Sequence, residues 1–459
     1  MMIERTLLEK YNVPVPRYTS YPPANHFTGD ISAADHEALI RESNDWDPRH
    51  IALYVHIPFC KKICFYCGCN ACKLKSNEEV SRYIEALKQE IRLVARHIEP
   101  GRQVTQLHFG GGTPNSIPAF MLKEIVELFR SLLPFSDHAE IAIETNPAYL
   151  DVPYLDALTD TGFNRFSFGI QDLDDRVLKL VNREPSAMPV ADLIAYVRKS
   201  ASEAAVNLDF IYGLPGQTVT GFRRTIETAA ELGADRLVTF SYAHVPWIKK
   251  HQQILEKRGL PSPEEKTAMF LESRGLLQEA GYMAVGLDHY VKPDDELFKA
   301  LQHKKLHRNF QGYCTRETTG QVYAFGITGI SQLEKAYIAN THSMEQYIEK
   351  VSGGRLPVEK GMQVSDREIV VREVITHLMC NRQLHWQTLA TTLGVAAEEI
   401  RETVDYAPGR FGELVADGLV EVEEQGLRVT EKGSMFIRNI AAMLDPAYRK
   451  QVNKYSKAV

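Results

Sequence analysis

The chain has 459 residues, of which 44% are hydrophobic and 24% charged, with a formal net charge of −6 at pH 7. This length predicts two or three domains whose core is large enough to fold without disulfides. The N-terminus lacks the apolar core of a signal peptide, no apolar run is long enough to span a bilayer, and no long basic run suggests nucleic acid. We therefore expect a cytoplasmic protein that binds neither membrane nor nucleic acid.

The first fifty residues are irregular and rich in Pro and Tyr, which predicts an arm that packs on something else. Short apolar runs then alternate with amphipathic stretches as far as Gly281. Six strand-helix units in series predict a parallel sheet, because parallel neighbours need helical crossovers, and ligands of such sheets bind at the carboxyl ends of the strands. The predicted strands cover residues 51–58, 103–111, 140–147, 165–171, 206–215 and 236–246, and the predicted helices cover 78–98, 119–133, 154–162, 190–201, 221–233 and 263–281.

From about residue 360, helical segments precede two short strands around the Gln425–Gly426 turn, a pattern that resembles a winged helix. Acidic residues crowd the wing and disfavour DNA binding, since they would repel phosphates. Six strand-helix units could make a doubly wound sheet or an incomplete barrel. We take the fold class to be α/β, an incomplete (β/α)6 parallel barrel with an N-terminal arm and a small winged-helix-like C-terminal domain. We assign residues 1–50 to an arm that covers the substrate, 51–355 to the barrel and 356–459 to the C-terminal domain.

Five of the seven cysteines lie between Cys60 and Cys72. Clustered cysteines in a chain without an export signal indicate metal binding or redox chemistry. Cys60, Cys64 and Cys67 directly follow the first strand. Structural zinc usually takes two spaced pairs of ligands, whereas a four-iron cluster held by three thiolates keeps one iron open for a small molecule. We therefore favour the cluster. Either Cys69 or Cys72 could compete as a fourth ligand, and we expect Cys72 to be a spare thiol.

Further motifs surround this spacing: PRYTSYP (16–22), HFGGGTP (108–114), GIQD (169–172), LVNRE (180–184), DFIYGLP (209–215), YAHVP (242–246), DHYVKPDDEL (288–297) and HRNFQGY (307–313). With YVHIPFCKKICFYCGCN, they make essentially the whole chain resemble the oxygen-independent coproporphyrinogen III oxidases, a family of radical S-adenosylmethionine enzymes. The three-cysteine spacing is shared by a large superfamily. PRYTSYP, HRNFQGY and the Cys-Gly-Cys ending are more specific.

The resemblance implies anaerobic oxidative decarboxylation of two propionates of coproporphyrinogen III to the vinyl groups of protoporphyrinogen IX, in haem biosynthesis. A [4Fe-4S] cluster would donate an electron to S-adenosylmethionine, and the resulting 5'-deoxyadenosyl radical would take a hydrogen from the propionate carbon beta to the carboxylate. A reduced electron donor such as flavodoxin or ferredoxin is implied, and we expect a monomer.

The resemblance also implies two molecules of S-adenosylmethionine. The cluster ligands would be Cys60, Cys64 and Cys67, and the catalytic candidates are Cys69, Tyr54 and Glu144. The first S-adenosylmethionine would contact Tyr54, Gly111, Glu144 and Ile330. The second would contact Tyr66, Gly112, Thr113, Gln171, Arg183, Asp209 and Ala243. Tyr66 stands where phenylalanine is expected, and Cys314 where threonine is expected.

The four propionates of the substrate call for cationic partners. Arg17 and Arg308 are the first candidates because both lie in family-specific motifs, with His307 and Lys292 behind them. Tyr18 and Tyr21 would shield the radical. Two alternatives stay open. One is a radical methyltransferase or haem-opening enzyme on the same scaffold, and the other is a non-enzymatic haem chaperone, whose relatives lack PRYTSYP and the residue corresponding to Cys69.

Overall fold

The computed structural model describes residues 5–316 and 320–448. The strands are β1 (His50–Ile57), β2 (Phe59–Cys60), β3 (Cys72–Lys73), β4 (Gln103–Gly111), β5 (Phe135–Thr145), β6 (Arg165–Gln171), β7 (Ala205–Tyr212), β8 (Arg236–Ser241), β9 (Met283–Val285), β10 (His289–Val291), β11 (Leu306–Arg308), β12 (Tyr313–Thr315), β13 (Gln321–Phe325), β14 (Ile330–Leu333), β15 (Ala336–Asn340), β16 (Val358–Gln363), β17 (Gln383–His385), β18 (Val420–Glu423) and β19 (Gly426–Val429). The α-helices are α1 (Arg5–Tyr11), α2 (Ala33–Glu42), α3 (Asn77–Ala95), α4 (Ala119–Leu132), α5 (Val152–Thr161), α6 (Asp175–Leu180), α7 (Val190–Ser200), α8 (Val219–Glu231), α9 (Gln253–Glu256), α10 (Pro263–Glu279), α11 (Glu296–Gln302), α12 (Met344–Ser352), α13 (Asp366–Asn381), α14 (Trp386–Leu393), α15 (Ala397–Thr403), α16 (Gly412–Ala416) and α17 (Ile437–Ala442).

Six parallel strands lie side by side in chain order: β1, β4, β5, β6, β7 and β8. Each is followed by one of the predicted helices, α3, α4, α5, α7, α8 and α10. The α/β fold class with a parallel sheet is therefore confirmed. The last strand is shorter than predicted and ends at Ser241, because the chain then leaves the sheet and the Val245 amide donates to the Gln252 side chain at 2.7 Å.

The sheet continues beyond these six strands on both sides. β13 pairs in parallel with β1 and is extended by the antiparallel strands β14, β15 and β16, while β10 and β9 extend the other edge. The sequence prediction missed these strands because most have only three to five residues, and β13 and β15 are buried throughout, without polar alternation. The predicted domain boundary at 355/356 falls before β16, which still belongs to the large sheet.

The N-terminal arm is more regular than predicted, since it contains α1 and α2. α2 begins in a capping box in which the Ser32 hydroxyl accepts from the Asp35 amide and the Asp35 carboxylate accepts from the Ser32 amide. The arm is tied to the C-terminal end of the chain, where the hydroxyls of Tyr18 and Tyr21 donate to Asp445 at 2.9 and 3.1 Å. These two tyrosines, predicted as radical shields, thus join the two ends of the protein.

The C-terminal part places α13 and α14 against a three-stranded antiparallel sheet in the order β17, β19, β18, and α15 packs on these two helices. The predicted strand pair around Gln425 and Gly426 is present. Among the described residues, no helix combines the length and apolar character required to cross a membrane.

Candidate active site

The cysteine loop, residues 60–72, follows the carboxyl end of β1. Its two ends are tied together, because the Cys72 amide donates to Pro58 O at 2.8 Å and the Leu74 amide donates to Cys60 O at 2.9 Å. Cys60 and Cys64 are buried, Cys67 is half-buried and Cys69 is exposed. Cys72 lies in the short strand β3 and packs on the hydrophobic core, which supports its prediction as a spare thiol.

Side chains from distant segments hold the backbone carbonyls of this loop. Four of the five donors come from the segments after β6 and β8, which no local spacing in the sequence links to the cysteines, so the sequence prediction missed them, and the fifth, His56, lies on β1. The contacts are Asn182 Nδ2 to Ile63 O (2.8 Å), Gln252 Nε2 to Tyr66 O (2.9 Å), His251 Nε2 to Cys67 O (2.8 Å), Lys249 Nζ to Cys69 O (2.8 Å) and His56 Nε2 to Asn70 O (2.8 Å). The carbonyls are thus satisfied, and the thiols remain available as ligands.

The thiols of the loop differ in acidity. The hydrogen bond from the Cys69 thiol lowers the pKa of Cys67 to about 6, with help from the nearby Lys249 and His251. Burial raises the pKa of Cys60 to about 11, against a Thr113 hydroxyl that lies 3.3 Å from its sulfur. Because metal binding requires thiolates, the lowered pKa of Cys67 prepares this side chain to act as a ligand.

Among residues 5–316 and 320–448, no three His, Cys, Asp or Glu side chains converge on the position of a single metal ion. In an iron-sulfur cluster each thiolate binds a different iron.

A glycine turn after β4 lies directly against the cysteine loop. The Gly112 amide donates to Ile57 O and the Thr113 amide to Phe59 O, at 2.8 and 2.9 Å. A Cβ at Gly112 would lie 2.5 Å from Pro58 O. Gly111 has φ +113°, a conformation that favours glycine, and a Cβ there would meet the His56 ring at 2.7 Å. The predicted Gly111, Gly112 and Thr113 therefore do lie beside the cysteines.

Tyr54 and Glu144 are brought together by a histidine that the sequence prediction overlooked. The Tyr54 ring stacks on the His108 ring with centroids 5.9 Å apart, and His108 Nε2 lies 3.0 Å from Glu144 Oε1. The Tyr54 hydroxyl lies 3.2 Å from His56 Nδ1. Glu144 remains 46% exposed at the carboxyl end of β5. Its carboxylate can thus accept hydrogen bonds from a ligand in the mouth of the barrel.

Residues predicted for the second S-adenosylmethionine converge at the carboxyl ends of β6 and β7. A Cβ at Gly169 would lie 2.7 Å from Gln171 Nε2 and 2.9 Å from Arg183 Nη2, and Gly169 pairs with Asp209 in the sheet. The buried Nε of Arg183 has no hydrogen-bond partner in the described structure. Burial, reinforced by the charge of Glu144, raises the pKa of Asp209 to about 7, although the Ser167 hydroxyl donates to it at 2.7 Å. A buried guanidinium and a carboxyl suit the two charges of an amino-acid group.

The other predicted residues are spread around this centre. Tyr66 and Phe65, within the cysteine loop, pack against a cluster that contains Tyr242. Ala243 follows β8 and lines the large cavity described below. Ile330 opens β14, two strands from β1, beside a cluster that contains Phe27 and Tyr337.

Two predicted propionate partners do not suit that role, one because of its position and the other because it is uncharged. Lys292 lies 3.5 Å from Asp235 and follows Val291, which pairs with the first residue of β8, at the opposite end of the barrel strands from the cysteines. Burial lowers the pKa of His307 to about 4, so this side chain is neutral at pH 7.

The chain matches two known families: residues 54–229 match the Radical SAM superfamily, and residues 364–436 match the HemN C-terminal domain. The barrel and its cysteine loop are therefore those of a radical S-adenosylmethionine enzyme. A [4Fe-4S] cluster and S-adenosylmethionine, the predicted cofactors, belong to this class. The three thiols, the glycine turn that only a residue without a side chain can form, and the orphaned Arg183 nitrogen all fit these groups.

Full-length relatives narrow the class. The chain is 39% identical to oxygen-independent coproporphyrinogen III oxidase of Synechocystis sp., over 96% of this chain and 94% of the relative, and 36% identical to that of Escherichia coli K12, over 99% and 98%. The solved structure of the Escherichia coli coproporphyrinogen III oxidase HemN, a radical SAM enzyme, matches 97% of this chain and 99% of its own with a TM-score of 0.89 and 35% identity. The chain belongs to the oxygen-independent coproporphyrinogen III oxidase family.

Proposed function

We propose that this chain converts coproporphyrinogen III to protoporphyrinogen IX without oxygen, by decarboxylating two propionates to vinyl groups in cytoplasmic haem biosynthesis. Membership of the family supports the reaction. The observation in this chain that carries the proposal is a cavity of about 490 Å³ at the carboxyl ends of β7 and β8, closed on one side by the N-terminal arm.

The cavity carries an excess of positive charge. Its basic lining residues are Arg17, Lys266, Arg274, Arg308 and Arg438, and Asp288 is the carboxylate among the described residues that line it. Burial, together with the charge of Arg17, lowers the pKa of Lys266 to about 8. Crowded cations of this kind are unfavourable until an anion enters. A tetrapyrrole with four carboxylates would supply the anions that these cations need.

Arg308 is the best-prepared propionate partner. Its Nε and Nη1 are buried and have no hydrogen-bond partner in the described structure. The guanidinium carbon lies 4.5 Å above the centre of the Tyr313 ring, which fixes the plane of the side chain. Each of these two buried donors can hydrogen-bond a carboxylate oxygen. Leaving them unpaired costs about 1–3 kcal/mol, which a propionate would recover.

When bound, the cluster and S-adenosylmethionine supply the electron and the 5'-deoxyadenosyl radical that takes a hydrogen from the propionate. We assign the chain's own residues to binding and orientation. The cluster would be held by Cys60, Cys64 and Cys67, and the Cys69 thiol would form a hydrogen bond to Cys67. Tyr54, Gly111, Glu144 and Ile330 would hold the first S-adenosylmethionine.

The second S-adenosylmethionine would lie against Gln171, Arg183 and Asp209, with Tyr66, Gly112, Thr113 and Ala243 around it. The N-terminal arm, residues 1–50, would cover the substrate and exclude water. Arg17 and Thr19 of this arm line the cavity, and its backbone at Pro16 is held by Arg438 at 2.9 Å. We further propose that the chain acts as a monomer, that residues 51–355 form the catalytic unit and 356–459 an appended unit, and that a flavodoxin or ferredoxin supplies the electrons.

The test is anaerobic incubation of the reconstituted protein with reductant, S-adenosylmethionine and coproporphyrinogen III, followed by chromatography of the oxidised porphyrins. We expect protoporphyrin, with two carbon dioxide molecules released per substrate. A methylated or ring-opened tetrapyrrole would instead establish a related radical enzyme. Stoichiometric haem binding without decarboxylation would establish a haem chaperone, and either result would overturn the proposal.

A further inference from the structure

An exposed apolar and basic surface lies directly outside the cysteine loop. Trp247 and Ile248 are 71% and 68% exposed, the highest values for large hydrophobic side chains among the described residues. Lys250, beside them, is also exposed. We call these three residues and Arg258 the Trp247 patch. Exposed hydrophobic residues grouped with charges are typical of protein-binding surfaces.

This patch does not face the substrate cavity. The cavity is lined by Ala243 and His244 before the segment and by Leu260 and Pro261 after it, but by no residue between 245 and 259. The intervening chain therefore turns away from the cavity. The exposed side chains of Trp247 and Ile248 are thus available to a partner that does not enter the active site.

The patch is coupled to the cysteine loop through short contacts. Lys249, next to Ile248, donates to Cys69 O at 2.8 Å, and His251 Nε2 lies 2.8 Å from Cys67 O. Arg258 stacks over Phe65 of the same loop, with the guanidinium carbon 5.0 Å from the ring centre. A protein bound on the patch would therefore be separated from the cysteine loop by one layer of side chains.

The local charge is opposite to that of the whole chain. Residues 247–258 contain Lys249, Lys250, Lys257 and Arg258 and one acid, Glu256, whereas the chain as a whole has a net charge of −6. Glu256 is itself engaged, since its Oε1 lies 2.8 Å from His244 Nε2. An acidic partner would be steered to this basic segment rather than to the rest of the chain, which carries the net negative charge.

We propose that the Trp247 patch docks an acidic flavodoxin that reduces the cluster. The inference rests on the proposed function, because only a radical reaction needs this electron. In each transfer the reduced flavin loses one electron and the cluster gains it, and no atom is exchanged. The indole of Trp247 would contact the apolar edge of the flavin ring, and Lys250 and Arg258 would pair with surface carboxylates.

The test compares the double variant Trp247→Ala/Lys250→Glu with the wild-type enzyme. A matched control is Leu132→Ala/Lys199→Glu, which alters an exposed hydrophobic and an exposed basic residue at the far ends of α4 and α7. The affinity for oxidised flavodoxin is measured by calorimetry at low salt. The rate of 5'-deoxyadenosine formation is measured once with reduced flavodoxin and once with dithionite.

We expect the patch variant to bind flavodoxin roughly tenfold more weakly or worse, with a flatter salt dependence, and to lose the flavodoxin-driven rate in proportion. Its dithionite-driven rate and iron content should equal those of the wild type, as should every property of the control. Unchanged affinity in the patch variant overturns the inference, and so does an equal loss of the dithionite-driven rate. Failure of the proposed function would show separately, as a wild-type enzyme that yields no protoporphyrin with dithionite.

Discussion

His108 and Glu144 link neighbouring strands at the mouth of the barrel, with His108 Nε2 3.0 Å from Glu144 Oε1 and the His108 ring stacked on Tyr54. The imidazole holds the half-exposed carboxylate in one position, where it can accept hydrogen bonds from the ribose or ammonium group of a ligand.

Glu144→Gln keeps the shape of this side chain but removes its charge. We expect the KM for S-adenosylmethionine to rise roughly tenfold or more, with unchanged iron content. Steady-state kinetics check this, with Glu231→Gln on the exposed end of α8 as the control, and an unchanged KM would remove Glu144 from the site.

The packing of Gly112 against the cysteine loop predicts a specific loss of the cluster. A Cβ at this position would lie 2.5 Å from Pro58 O and 2.9 Å from Phe59 O, so Gly112→Ala must push the two segments apart. We expect anaerobic reconstitution to give less than about half of the wild-type iron. Gly68→Ala is the control, since a Cβ there would meet nothing within 4 Å although it lies in the same loop. Equal iron in the two variants would contradict this account of the turn.

Arg308 and Lys292 form a matched pair for substrate recognition, because both are basic but only Arg308 lines the cavity. We expect Arg308→Met to raise the KM for coproporphyrinogen III roughly tenfold or more, as loss of charge-assisted hydrogen bonds to a propionate should. Lys292→Met should leave this KM unchanged. Reductive cleavage of S-adenosylmethionine in the absence of substrate should be the same in both variants. The prediction fails if the two variants show the same KM for the porphyrinogen.

The buried Asp209 predicts a pH dependence of stability in the protein without ligands. Its folded-state pKa is raised to about 7, whereas an unfolded Asp titrates near 3.9. Between these two pKa values the folded protein holds a proton that the unfolded chain has lost. The contribution of this proton to the free energy of unfolding is complete below about pH 4 and is lost as the pH rises through about 7. We expect Asp209→Asn to lose this dependence and to be more stable than wild type above about pH 8, by about 2–4 kcal/mol. Thermal unfolding at several pH values measures it, and parallel curves for the two proteins would rule it out.

The same substitution separates stability from binding. Asp209 is proposed to face the ammonium of the second S-adenosylmethionine. Asp209→Asn should therefore bind this ligand more weakly, although its free energy of unfolding at alkaline pH is higher than that of the wild type. A variant that merely damaged the fold would lose both properties.

The units from β1 to α10 could be predicted because each strand is a short apolar run and each helix has an apolar stripe, which are local patterns. β13 and β15 could not, since short strands buried on both faces, such as Ala336–Asn340, lack alternation and owe their structure to neighbours elsewhere in the chain. The helices α1 and α2 were hidden by the Pro and Tyr content around them.

The candidate site shows the same division. The cysteines are close in sequence, so their spacing alone predicted their role. The basic cavity brings together residues as distant in sequence as Arg17, Lys266 and Arg308. Groups of this kind, like the His108–Glu144 pair and most anchors of the cysteine-loop carbonyls, form only when the chain folds. Lys292 illustrates the converse, since a motif placed it among the candidates and the register of β10 places it at the wrong end of the barrel.

The central claim is that Cys60, Cys64 and Cys67 hold a four-iron cluster that leaves one iron open for S-adenosylmethionine. It is tested most directly by electron paramagnetic resonance of the reconstituted, reduced protein with and without S-adenosylmethionine, in the wild type and in single Cys→Ser variants. We expect a cluster signal that changes when S-adenosylmethionine is added, in the wild type and in Cys72→Ser, and loss of that signal in Cys60→Ser, Cys64→Ser and Cys67→Ser. Retention of an S-adenosylmethionine-sensitive signal in Cys67→Ser together with its loss in Cys72→Ser would contradict the assignment, as would zinc in place of iron in the wild-type protein.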